Sequence, residues 1–315
     1  MSKDDGYRYA KDQDYLQAVI DSWEQDTASA LSPQQKGVET SPWIYHDDDG
    51  TPLYGHIVRP IVGNADPQSL NRPGILLFHT AAGPQDVFLF QKAAKLASSV
   101  LGCVVLICDV LSDQDGWAWT PDGDRTRFNN VKEELLEENG ALLRSRVEAA
   151  IRTLIGNDLG VDPTRIAGLG WCFGAQPILE LAALQNEQDT KKAGDDFAFS
   201  ATALVSYHGV YRRGEFNPAD IPASALASSG DSPDREVLIC TGKNDPFVAP
   251  NDLEFAKATM GGQNFAVRIM EFDGAKHGFT NPAQDFNSSP AFAYNEIAAT
   301  KSWEATMELL KRKLV

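Results

Sequence analysis

Three residues of this 315-residue chain have the types and positions that acyl chemistry needs: Cys172, Asp245 and His277. Cys172 sits in Gly170-Trp171-Cys172-Phe173-Gly174, after the apolar run Ile166, Ala167, Leu169 and before a helical pattern in Ile178, Leu179, Leu181 and Ala182. This is the shape of a nucleophile elbow, a sharp turn between strand and helix that exposes a reactive side chain. Glycines two before and two after the nucleophile remove the Cβ atoms that would clash as the chain doubles back. A thiolate is the reactive form of cysteine, and a helix N-terminus or a nearby imidazolium stabilises it.

An acid and then a histidine follow, each just after an apolar strand pattern. Val237–Cys240 leads to Gly242-Lys243-Asn244-Asp245-Pro246, and Ala266–Phe272 leads to His277-Gly278-Phe279. In a parallel sheet the carboxyl ends of the strands lie together, so the three residues can converge. The expected roles are Cys172 as nucleophile, His277 as base and Asp245 as the carboxylate that fixes the ring. The backbone N–H of Phe173 and one from the loop after the Gly74–Phe78 strand, assigned to Ala81, would stabilise an oxyanion. His79, Thr80, Trp117, Trp119, His208 and Phe279 are the candidate pocket residues. Among these, His79 reads as a hydrogen-bonding scaffold rather than a catalytic group, and Trp117 and Trp119 read equally as loop anchors. Arg125 and Arg127 read as solvated or as carboxylate-binding. The remaining histidines, His46 and His56, read as surface residues of a hairpin.

The elements that must position these groups alternate. An acidic-Gly turn at Asp47-Asp48-Asp49-Gly50 between Trp43–Tyr45 and Leu53–Val58 reads as a β-hairpin. From Pro73 onward, apolar strand runs (Gly74–Phe78, Cys103–Cys108, Ala201–Val205 and those above) alternate with helical patterns. The helices expected are one capped by Asp86 and reaching Leu101, one over Val131–Ile155, one over Asn251–Met260, and one from Ala298 to Val315. Residues 109–130 read as a long loop, and Asn186–Asp196 as a polar linker. Continuous apolar strands are those of a sheet covered on both faces. The expected fold is α/β: a mostly parallel twisted sheet with helices on both faces. Residues 1–40 form a separate N-terminal helical arm, with Tyr15, Leu16, Val19, Ile20 and Trp23 at helical spacing, and residues 41–315 form the domain. The arm packs on the domain or joins a second subunit as a homo-oligomer contact.

Composition narrows the partners. There are 28 Lys and Arg against 44 Asp and Glu, a net charge of −16. That balance disfavours nucleic acid and anionic membranes as partners. No apolar leader follows the charged start, and no run is long enough to span a bilayer. The four cysteines lack C-x-x-C spacing, and no histidine or cysteine pair has ligand spacing, so neither a disulfide framework nor a metal site is expected. The expected location is the cytoplasm. Cys103 and Cys108 differ by an odd number and should face opposite sides of a strand.

These residues resemble the dienelactone hydrolases of the α/β-hydrolase superfamily, over about Gly74 to Val315. The resemblance rests on Gly170-x-Cys172-x-Gly174, Gly242-x-x-Asp245-Pro246 and His277-Gly278-Phe279, with 73 residues from Cys172 to Asp245 and 32 more to His277. It implies a cofactor-independent hydrolase of small esters or lactones with a Cys-Asp-His triad. The family also carries a glutamate where this chain has Thr80, and an arginine where it has Asn281. The two changes point to a neutral or differently anchored ester, thioester or lactone rather than dienelactone itself. The rival reading is a binding or redox-sensing module on the same fold, with Cys172 as its reactive thiol.

Overall fold

A computed structural model of the chain describes residues 37–61, 71–113, 117, 124–156, 159–190, 198–211 and 234–315. Its frame is an eight-stranded sheet in the order β1-β2-β4-β3-β5-β6-β7-β8. The strands are β1 (Val38–His46), β2 (Pro52–Pro60), β3 (Arg72–Phe78), β4 (Val104–Cys108), β5 (Val161–Trp171), β6 (Ala201–Tyr207), β7 (Glu236–Gly242) and β8 (Ala266–Phe272). The first hairpin pairs antiparallel, and β2 joins β4 antiparallel; every other pairing is parallel.

The helices are α1 (Val87–Ala97), α2 (Asp124–Leu136), α3 (Ala141–Ile155), α4 (Ala175–Thr190), α5 (Pro250–Gly262) and α6 (Glu296–Leu314). They cover both faces because the central strands β3, β4, β6 and β7 are buried at nearly every position. Ile75 and Leu77 pack with α1 and α6, whereas Leu76 and Phe78 pack with α3 and α4. Cys103 and Cys108 fall on opposite faces in the same way. Between β3 and β5 the chain changes direction across the sheet, since β3 leads outward to β4 and β5 leads the other way to β6. Such a switch point opens a crevice at the carboxyl ends of the two strands. It is there that Phe78 runs into His79 and Trp171 runs into Cys172.

Several local expectations change. The helix expected over Val131–Ile155 is two helices, broken where Glu138, Asn139 and Gly140 take φ of 49°, 59° and 82°. Asn and Gly tolerate this left-handed backbone and end a helix there. α2 begins at Asp124, inside the stretch expected as loop. α1 is capped by Asp86, whose side chain accepts the Phe88 N–H at 3.0 Å, but stops at Ala97 rather than Leu101. α4 continues to Thr190 through half of the expected linker. β1 starts at Val38, so residues 38–40 belong to the sheet. The helix expected over Tyr15–Trp23 lies outside the described residues. His56 is not a surface residue: it is half-buried with its ring 4.7 Å from Phe90, and burial lowers its pKa.

One buried ion pair ties the hairpin to the sheet's carboxyl edge. Arg146 of α3 donates to the carbonyls of Val110 (2.8 Å) and Leu111 (3.0 Å) and to the Asp47 carboxylate (3.3 Å). Asp47 also accepts the Thr51 N–H across the turn. Removing one partner strands the others away from water. Arg146→Ala is therefore expected to lower unfolding free energy by about 3–5 kcal/mol in urea titrations; a change below about 1 kcal/mol would contradict this role.

Candidate active site

The elbow is set by steric limits on its own backbone. Cys172 adopts φ of 54°, a conformation L-residues seldom take. A Cβ at Gly170 would lie 2.2 Å from the Gly174 carbonyl oxygen, and one at Gly174 would lie 2.4 Å from that of Phe78. Both glycines are required by close approach. The same contact brings the loop after β3 against the elbow, since Gly174 also faces the His79 carbonyl. Cys172, 8% exposed, follows the last strand residue Trp171 and starts the single turn Cys172–Gly174 that leads into α4.

The acid and the histidine arrive on neighbouring loops. The ends of β7 and β8 are stitched together: the Lys243 N–H donates to the Phe272 carbonyl and the Asn244 N–H to that of Ala275, both at 3.0 Å. Asp245 Oδ1 accepts the Phe247 N–H at 2.9 Å, and Oδ2 accepts His277 Nδ1–H at 2.8 Å. The side chains are 0% and 2% exposed. With Nδ1 committed, the other ring nitrogen makes the side-chain hydrogen bond to Cys172. Phe247 and Phe292 pack their rings against the imidazole at 4.8 and 5.2 Å.

Electrostatics follow from this packing. Burial lowers the pKa of His277, but the Cys172 sulfur, as a charge and as a hydrogen-bond partner, and the Asp245 carboxylate together push it up to about 10. Cys103 and Cys240 are raised to about 12 by burial. Neither resembles the environment of Cys172, which has an imidazole partner.

The loop after β3 is held from behind. His79 is fully buried; its Nδ1–H donates to the Thr80 carbonyl at 2.6 Å, and its Nε2 accepts the Val110 N–H at 3.3 Å. Its scaffold reading therefore stands, and it does not line the pocket. Trp117, also fully buried, is a loop anchor: its Nε1–H donates to the Ala81 carbonyl at 3.0 Å and its ring covers Gly83. Arg127 lies 4.0 Å over that ring and pairs with Asp113 while its side chain stays part-exposed. Ala81 thus sits in a loop pinned beside the elbow.

A pocket of about 370 Å³, counting its open mouth, lies against His277. Thr80 and His208 line it, together with Trp171, Asp86 and Phe88 from the start of α1, and the segment from Gly278 to Phe292. Phe279, expected in the pocket, is fully buried below it against Phe272 and His208, because Gly278 (φ of 71°) turns the chain inward. Trp119 lies outside the described residues. Trp171, Thr280 and Phe247 each adjoin a motif residue and are readable as neighbours; Asp86 carries only a helix-cap signal, and Phe292 comes from another element with no local signal. Among the described residues no cluster of three or more His, Cys, Asp or Glu has the arrangement of a metal site, and no helix is long and apolar enough to cross a membrane.

His277 should titrate at about 10 when followed by NMR of its ring protons. Because the folded pKa exceeds the ordinary ~6.5, the resulting stability is fully present below ~6.5 and lost as pH rises through about 10. Asp245→Asn should move the titration lower, and a wild-type midpoint near ~6.5 would contradict the pairing. Trp117→Phe keeps the ring but frees the Ala81 carbonyl, so kcat should fall with KM little changed.

Comparison with known proteins agrees with this geometry. The family model of the dienelactone hydrolase family matches residues 62–314. A solved structure called m3DLH superposes with a TM-score of 0.68 at 23% identity, covering 89% of this chain and 100% of that one. A dienelactone hydrolase-like promiscuous phosphotriesterase, P91 from metagenomic libraries, gives 0.66 at 22% identity, with 89% and 100% covered. The uncharacterized protein K02A2.1 of Caenorhabditis elegans is 24% identical over 176 residues, which is 56% of this chain and 96% of the relative. With its mostly parallel eight-stranded sheet and a match over most of its length, the chain belongs to the dienelactone hydrolase family, carboxylic ester hydrolases of the α/β-hydrolase fold.

Proposed function

We propose that this hydrolase acts on small carboxylic esters or lactones through a thioester on Cys172, with His277 and Asp245 completing the catalytic set. The observation that carries the reading is the buried imidazole held between the Asp245 carboxylate and the Cys172 thiol. An ordinary thiol, with a pKa near ~8.5, is a weak nucleophile at neutral pH. Beside an imidazole whose pKa is about 10, the proton rests on nitrogen and the sulfur is a thiolate.

The thiolate attacks the acyl carbon, and the carbonyl oxygen takes the negative charge. The N–H groups of Phe173 and Ala81 are the donors for that oxygen. The His277 imidazolium then gives its proton to the departing alkoxide, and the thioester forms. Acylation removes the negative sulfur, which is the chief contribution that raised His277. Its pKa falls, and the neutral ring can now take a proton from water, which attacks the thioester and releases the acid. One imidazole thus serves as acid and then base because its neighbour's charge changes between the steps. The reading includes a cytoplasmic location, supported by four cysteines of which none is in a disulfide.

Hydrolysis of a panel of p-nitrophenyl esters and lactones tests this. Cys172→Ala should lower kcat/KM by at least about a thousandfold. Cys172→Ser should keep the fold and lose most of the activity, because an alcohol needs a stronger base than the thiol does. Turnover that survives in the alanine variant would refute the assignment.

A further inference from the structure

The pocket beside His277 holds a contrast between polar groups that serve the protein and polar groups that serve nothing visible. Thr80 Oγ1 accepts the Ala82 N–H at 3.1 Å, and Asn281 Oδ1 accepts that of Ala283 at 3.0 Å. Gln284 Oε1 accepts from Asn287 at 2.9 Å, while its side chain fills the space over Gly278. Two other lining residues each keep a buried nitrogen with no hydrogen-bond partner among the described residues, Trp171 Nε1 and His208 Nδ1. Their residues are 0% and 2% exposed. A buried donor left unsatisfied is costly, and native proteins seldom keep one without a reason.

Packing holds both rings in place. Trp171 stacks on Tyr207 at 4.9 Å with planes 9° apart and meets Phe88 edge-on. His208 lies 4.8 Å from the His277 ring, and its Nε2 is 3.3 Å from Thr280 Oγ1. Charge narrows what they could meet. Among the described lining residues there is no Lys or Arg, and Asp86 contributes a carboxylate. Burial and the neighbouring His277 charge hold His208 neutral. The His277 charge is already balanced by Asp245 and Cys172, so a carboxylate would enter this pocket without an unpaired cation to replace its water.

We propose that this pocket is a recognition subsite for an uncharged oxygen, a hydroxyl or carbonyl carried next to the scissile bond of a neutral ester or lactone. The Trp171 indole N–H donates to that oxygen. His208 Nδ1 accepts from a hydroxyl, or donates to a carbonyl in its other tautomer. The substrate class rests on the hydrolase reading above; the binding preference does not.

Binding and turnover separate the two. By calorimetry, the anilide of 2-hydroxypropionic acid should bind the wild-type protein about tenfold more tightly than its methyl isostere, isobutyranilide. Succinanilic acid, which carries a carboxylate, should bind worst. In Trp171→Phe, which keeps the stacked ring and removes the N–H, the hydroxyl preference should shrink to within about twofold; His208→Phe is the second variant should the first fail to fold. The kcat/KM ratio for phenyl lactate over phenyl isobutyrate should collapse in the same variants. Equal binding of the isosteres, a preference unchanged in both variants, or tightest binding of the carboxylate would overturn the subsite. Retained hydroxyl preference without turnover of any ester would overturn the hydrolase reading and leave the subsite standing.

Discussion

A single hydrogen bond between two fully enclosed side chains, His277 Nδ1 and Asp245 Oδ2 at 2.8 Å, organises the rest of this molecule's chemistry. Neither partner is tolerable there alone: a buried carboxylate needs a donor and a buried imidazolium needs a negative neighbour. Together they orient the other ring nitrogen toward Cys172. The surrounding structure serves to hold the pair: backbone bonds stitch the ends of β7 and β8, the Phe247 N–H occupies the second carboxylate oxygen, and aromatic rings close over the imidazole. The neutral His208 stands on the remaining side and adds no competing charge.

The thiol reaches that pair through a steric constraint of equal rigidity. The elbow folds so tightly that Gly170 meets Gly174, and Gly174 meets the end of β3. Because β3 and β5 are neighbours at the point where the sheet's winding reverses, the loop carrying Ala81 has no alternative but to lie beside Cys172. Trp117 and Arg146 then brace the adjoining loops from outside the reacting centre. The groups of the candidate site are thus carried by strand ends and by backbone held at several points, which is how a site stays set before a ligand arrives.

Much of this was legible in the residues alone, wherever the determinant is local. Glycines around Cys172, the acid and histidine each following an apolar run, and the odd spacing that sends Cys103 and Cys108 to opposite faces are properties of short segments. What escaped depended on distant partners. Glu138, Asn139 and Gly140 break a helix whose hydrophobic pattern continues on both sides, so periodicity passes over the break. Phe279 follows His277 closely in sequence yet points into the core, because the left-handed Gly278 reverses the direction that simple adjacency suggests. His56 lies in a hairpin that looked solvated until α1 laid Phe90 across it. Trp117 could not be assigned between pocket and anchor without the Ala81 carbonyl and Arg127 that fix it.

The decisive measurement is the mass of the enzyme caught during turnover. An activated ester mixed with the protein and quenched in acid within the first turnovers should add one acyl group, and peptide mapping should find it on Cys172 as a thioester released by hydroxylamine. An acyl group on any other side chain, or rapid hydrolysis with no covalent species at any quench time, would contradict the thiolate mechanism.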